Sequence, residues 1–162
     1  MGCPIKRLIA ATNANDTVPR YLKEGKWSPN PTIPTITNAM DVAQPNNFIR
    51  VQYLSRQYGL KFNEAIHSVA ITEEQTKAAM RSLAKRGYFV DPHTALAMYA
   101  VKHIARVGIL GTAHPAKFAD VLQKEQIHIE LPKEIERVKD KVVLSLDMKP
   151  DYEELKNFLL YF

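Results

Sequence analysis

A chain of 162 residues is long enough for one domain with a buried core. Its hydrophobic fraction of 46% is that of a soluble globular protein, and no apolar run approaches the roughly 18 residues that a membrane helix needs. The net charge of +5 comes from cations scattered among acids, as in Lys133-Glu134-Ile135-Glu136-Arg137, with no basic cluster interleaved with aromatics; this argues against a nucleic-acid or membrane partner and is compatible with an anionic small molecule.

Met1 to Pro4 carries no charged flank ahead of a long apolar stretch, so no secretory leader is expected. The single cysteine, Cys3, allows no internal disulfide, which fits a reducing cytosol and a cytoplasmic location. The first element is the apolar run from Arg7 to Thr12, read as a buried strand. Asn13, Ala14, Asn15 and Asp16 then suit a turn and the start of a helix. That helix is predicted from Thr17 to about Glu24, with Pro19 in its first turn and Gly25 as its stop.

Residues 26–47 are of another kind. Pro29, Pro31, Pro34 and Pro45 remove backbone donors and fix φ, so a long loop is expected, and Trp27 and Met40 predict that it packs against the rest. A helix is expected from Pro45 to about Tyr58, ended by Gly59. Thr72-Glu73-Glu74-Gln75 is a capping box ahead of a helix whose apolar stripe is Ala79, Met80, Leu83 and Ala84, closed by Gly87. Asp91 and Pro92 then cap and open the next helix.

Val107 to Gly111 reads as a second buried strand, running into Thr112-Ala113-His114-Pro115 and a helix from Pro115 to about Gln123. Beyond it, a helical tail over 124–162 alternates apolar runs, Ile127 to Leu131 and Val142 to Leu146, with charged stretches, Pro132 to Lys139 and Asp151 to Phe162. The pattern is α/β, with more helix than strand and few parallel strands. Two strands do not make a covered parallel sheet, so residues outside the chain, or another chain, are expected to complete it.

Both strand readings end in polar residues, 12–16 and 111–115. Ligands of open α/β sheets bind at the carboxyl ends of strands, so the two clusters would share a rim if the strands were parallel neighbours. The blander reading makes Asp16 and Thr112 helix caps. Glycine-rich nucleotide loops, paired metal spacings among the five histidines, and a G-x-S-x-G nucleophile elbow are all lacking.

Four stretches carry a resemblance. Ile9 to Arg20 (IAATNANDTVPR), Thr37 to Val42 (TNAMDV), Gly87-Tyr88 followed by Asp91-Pro92-His93-Thr94-Ala95, and Gly111 to Phe118 (GTAHPAKF) resemble, in order and spacing, bacterial and fungal threonine synthases. The resemblance implies a three-layer type II pyridoxal-phosphate-enzyme fold, of which residues 1–162 would be an incomplete, C-terminal portion. The family's reaction converts O-phospho-L-homoserine and water into L-threonine and phosphate, with pyridoxal phosphate as electron sink.

By the same resemblance, Thr112 would hydrogen-bond the pyridine nitrogen of the cofactor, and Ala113 and His114 would shape that wall. Asn13, Asn15 and Asp16 would lie on the substrate rim, with Asp41 on the neighbouring loop. Asp16 as a simple helix cap and Asp41 as a pin for the loop stay open. The family's Schiff-base lysine stands in a Phe-Lys-Asp context, which this sequence lacks, as it lacks the glycine-rich phosphate loop. Lys117, in Pro-Ala-Lys-Phe, either opens a helix or lies near the substrate phosphate.

The chain alone is therefore expected to be catalytically incomplete, to need the N-terminal part of the enzyme, and to self-associate through apolar surface. A non-catalytic homologue that binds an anionic metabolite or a protein is the alternative. Another type II pyridoxal-phosphate lyase is a further one.

Overall fold

The structure, a computed structural model, describes residues 4–161 apart from the side chain of Met40. Met1 to Cys3, where the leader and cysteine readings fall, and Phe162 lie outside the described residues. The chain forms two compact units, one running to Glu130 and the other starting at Leu131.

In the first unit, β1 (Leu8–Thr12) pairs in parallel with β2 (Ile66–Ala70), in a register from Leu8 opposite Ile66 to Thr12 opposite Ala70. The Ile71 amide extends the ladder by donating to the Thr12 carbonyl at 2.9 Å. The strand neighbour expected at Val107–Gly111 is thus replaced by a segment whose His67 and Ser68 interrupt its apolar character. Val107–Gly111 itself has no regular secondary structure, and Leu110 is 89% exposed. A short apolar run states a tendency to be buried; it does not name the strand that would cover it.

The helices follow local signals closely. α1 spans Thr17–Glu24 and ends at Gly25 in the left-handed conformation (φ 74°), whose amide donates to the Tyr21 carbonyl. α2 spans Phe48–Tyr58 and ends the same way at Gly59 (φ 61°). It starts after Pro45 because the Phe48 amide first closes a turn onto the Pro45 carbonyl. A single turn, α3 (Phe62–Ala65), leads into β2.

α4 (Glu73–Ala84) opens on the complete capping box. The Gln75 amide donates to the Thr72 hydroxyl, and the Thr72 amide donates to the Gln75 side chain. α5 (Pro92–Ala100) opens on Asp91, whose carboxylate accepts the amides of His93 and Thr94. The helix expected from Pro115 begins as a 3-10 turn, Pro115–Phe118, and continues as α6 (Ala119–Lys124).

These helices enclose the core. Ala79 and Met80 of α4, Ala95 of α5, Phe118, Val121 and Leu122 around α6, and Ile127 form one buried cluster. Truncating a side chain buried like Met80 costs about 2–5 kcal/mol. β1 packs against α5, so this core stands behind the strand pair.

The second unit holds α7 (Lys133–Glu136) and α8 (Tyr152–Tyr161). The Glu154 amide donates to the Asp151 carboxylate, which caps the start of α8. Val142–Leu146 between them has no regular structure, and Leu144 is 96% exposed.

Candidate functional site

Beyond the carboxyl end of β1, Asn13 and Asn15 reach across to the proline-rich loop. Asn15 is buried and treats Ile33 as a strand neighbour would: it accepts the Ile33 amide at 2.9 Å and donates to the Ile33 carbonyl at 3.0 Å. Asn13 donates to Thr37 Oγ1 at 2.7 Å and to Asp41 Oδ1 at 3.0 Å, while its own carbonyl accepts the Asn15 amide.

Asp41 closes the network by accepting the Thr35 amide at 2.8 Å and the Thr35 hydroxyl at 2.6 Å. From the far side Glu73 of α4 accepts the Ile36 amide at 2.8 Å. At the loop's base Trp27 stacks on Phe48 with ring centroids 4.9 Å apart, and Tyr21 meets both rings edge-on. The four prolines leave the loop with a single 3-10 turn, Asn38–Met40, and side-chain hydrogen bonds satisfy backbone groups that have no ladder.

Asp16 stands at the N-cap of α1, but its carboxylate makes no capping hydrogen bond among the described residues. It pairs with Arg20 one turn on, at 2.9 Å. Asn13, Asn15 and Asp41 are therefore brought together, while Asp16 stands apart from their network.

The second predicted cluster lies along Gly111–Phe118. Ala113 packs against the core. Its neighbours on either side, Thr112 and His114, are exposed. Among the described residues the Thr112 hydroxyl makes no hydrogen bond. The cap expected from Thr112 is made by His114 instead, whose Nδ1 accepts the Ala116 amide at 3.1 Å. Lys117 is exposed and joins no ion pair among the described residues. The outer face of His114 lines an open cleft with Tyr88, Phe89, His128 and Glu130. The hydrogen bonds of each cluster run within that cluster.

Sequence reading missed a third group. Asp91 is 1% exposed and accepts four hydrogen bonds. Two come from the amides of His93 and Thr94, one from His93 Nδ1 at 3.0 Å, and one from the Thr94 hydroxyl. Burial pushes the carboxyl pKa up, but these bonds, led by that of the His93 ring, outweigh it and hold the group below the ordinary carboxylate range. With Nδ1 donating, His93 Nε2 is left buried and without a hydrogen-bond partner among the described residues. Asp91 fits an ordinary helix cap, which explains why only its capping role was legible. Among the described residues no group of three or more histidine, cysteine, aspartate or glutamate side chains is placed to hold a metal ion, and no helix is long and apolar enough to cross a membrane.

Solved structures share this α/β arrangement. Threonine synthase from Escherichia coli superposes with a TM-score of 0.87 at 41% identity, over 98% of this chain and 38% of that one. A pyridoxal-phosphate-bound threonine synthase from Brucella melitensis gives 0.69 at 30% identity, over 83% and 36%. The yeast enzyme gives 0.82 at 26% identity, over 99% and 43%.

Sequence comparison is more specific. Threonine synthase of Serratia marcescens is 44% identical over 168 residues, 99% of this chain, and that of Escherichia coli is 41% identical over 165. No protein-family model matches the chain. The chain spans about 38% of the length of the curated relatives it matches. It is homologous, along almost its whole length, to the C-terminal part of threonine synthases.

Proposed function

We propose that this chain supplies the C-terminal part of a threonine synthase, which converts O-phospho-L-homoserine and water to L-threonine and phosphate. The relationship across 99% of the chain carries this reading. The geometry of Gly111–Phe118 supports it: Ala113 is anchored against the core while Thr112 beside it is exposed, its hydroxyl without a hydrogen bond among the described residues. That hydroxyl suits the pyridine nitrogen of pyridoxal phosphate, which when bound supplies an electron sink for carbanions. A neutral hydroxyl there would leave that nitrogen largely unprotonated, where a carboxylate would favour its protonated form.

His114, fixed by its own cap, would shape the same wall. Lys117 offers an exposed ammonium to a phosphate. On the other rim, Asn13, Asn15 and Asp41 would act through the loop they pin, and Asp16 through its pairing with Arg20. The sequence has no Phe-Lys-Asp, so the Schiff-base lysine and the glycine-rich phosphate loop would come from the preceding part of the enzyme. Soluble, cytoplasmic operation fits a substrate of this kind.

The test is a chimera in which this chain replaces the homologous part of the Escherichia coli enzyme. We expect threonine production from O-phosphohomoserine, and a shifted cofactor absorbance on Thr112→Asp. A folded chimera that binds pyridoxal phosphate but makes no threonine would overturn the reading in favour of a non-catalytic homologue or another lyase.

A further inference from the structure

Asp91 stands at the start of α5, some twenty residues before the segment that carries Thr112, yet both side chains it organises reach that segment. Thr94, whose hydroxyl donates to Asp91 Oδ2, lies against Gly111: a Cβ placed there would sit 3.4 Å from Thr94 Oγ1. His93, whose Nδ1 meets Asp91 Oδ1, sets its ring edge-on to Phe118 with centroids 5.3 Å apart. Phe118 is itself buried in the core cluster.

Gly111 and Phe118 are the two ends of the segment. We infer that Asp91 is a positioning residue that brackets Gly111–Phe118 through Thr94 at one end and His93 at the other, and so sets the outward aim of Thr112. Its relevance to the cofactor rests on the role proposed above for Thr112.

The bracket works because every contact depends on one carboxylate. Oδ1 holds the His93 ring in the tautomer with its proton on Nδ1, and Oδ2 holds the Thr94 rotamer. Between the two ends, Ala113 enters the core and the Ala116 and Lys117 amides close onto His114. Releasing either end leaves the segment held by the other end and by the core contacts of Ala113 and Phe118. Gly111 has ordinary backbone geometry and a Cβ there makes only a van der Waals contact, so alanine is tolerated; a branched side chain would displace Thr94.

The test uses the full chain without cofactor. Amide hydrogen exchange is followed residue by residue in wild type, Thr94→Val and Thr94→Ser. We expect the Ala116 and Lys117 amides to exchange about tenfold faster in Thr94→Val and to recover in Thr94→Ser, with the Ile71 amide of the strand ladder unchanged. Unchanged protection at Ala116 and Lys117, or equal loss at Ile71, overturns the bracket.

A second readout does not depend on any variant folding. Ring-nitrogen NMR of wild type should show neutral His93 protonated on Nδ1; protonation on Nε2 instead overturns the hub at Asp91. Neither readout involves pyridoxal phosphate. A bracket that holds while Thr112→Val leaves the cofactor spectrum of the chimera unchanged would refute the cofactor role of Thr112 alone. An active chimera with an unmoved exchange pattern would refute the bracket alone.

Discussion

Asp91 shows how one side chain can be both local and long-range. Its capping bonds were legible because Asp-Pro is a helix-start signal that depends only on adjacent residues. Its grip on His93 and Thr94 was not, because nothing in the sequence says that those two side chains meet Gly111 and Phe118. The depressed pKa has a measurable consequence. The folded value lies below the unfolded one, so the carboxylate's contribution to stability is complete above the ordinary carboxylate pKa and is lost as pH falls through the folded value. Asp91→Asn should therefore lower the urea midpoint at pH 7, and the gap to wild type should close below about pH 4. A gap that widens on acidification would contradict the assigned hydrogen bonds. The residue scale also limits what was foreseen of the rim. The resemblance placed Asn13, Asn15 and Asp41 at a substrate rim; that their hydrogen bonds run chiefly to one another and to the loop was not legible from it.

At the scale of elements, the parts with local punctuation emerged where the sequence placed them. α1 has Gly25, α2 has Gly59, and α4 has its capping box. Thr72→Ala should cost about 1 kcal/mol, read as a lowered midpoint in urea, because it removes an acceptor from the first turn of α4. No loss would mean that tertiary packing, not the cap, sets where α4 begins. The strands were harder. Leu8–Thr12 is a largely apolar run whose position was legible, although the strand read as buried is exposed at Leu8 and only half-buried beyond it; Ile66–Ala70 carries His67 and Ser68 and was not legible. Val107–Gly111 has the better strand sequence of the two latter segments and yet pairs with nothing among the described residues. Pairing depends on which chain segment stands at 4.8 Å, about one strand spacing, and composition alone does not record that.

At the scale of the whole molecule, several large apolar side chains are exposed. Ile49, Tyr53, Leu54 and Tyr58 lie uncovered along α2, and Leu110 stands clear of the core. Val142, Val143 and Leu144 of the second unit are likewise bare. An uncovered stripe such as that along α2 marks an interaction site or a tendency to associate. We predict concentration-dependent association of the isolated chain in light scattering; a clean monomer at high concentration would show that these side chains do not form an adhesive surface.

The proline-rich loop has a thermodynamic consequence. Asn15 answers both polar groups of Ile33, and Asp41 answers both the amide and the hydroxyl of Thr35. The conformational entropy of the loop is therefore surrendered when the protein folds, before any ligand arrives. A molecule that settles against this rim meets a wall already in its final shape. Ordering of the loop would then add little to the entropic cost of binding there.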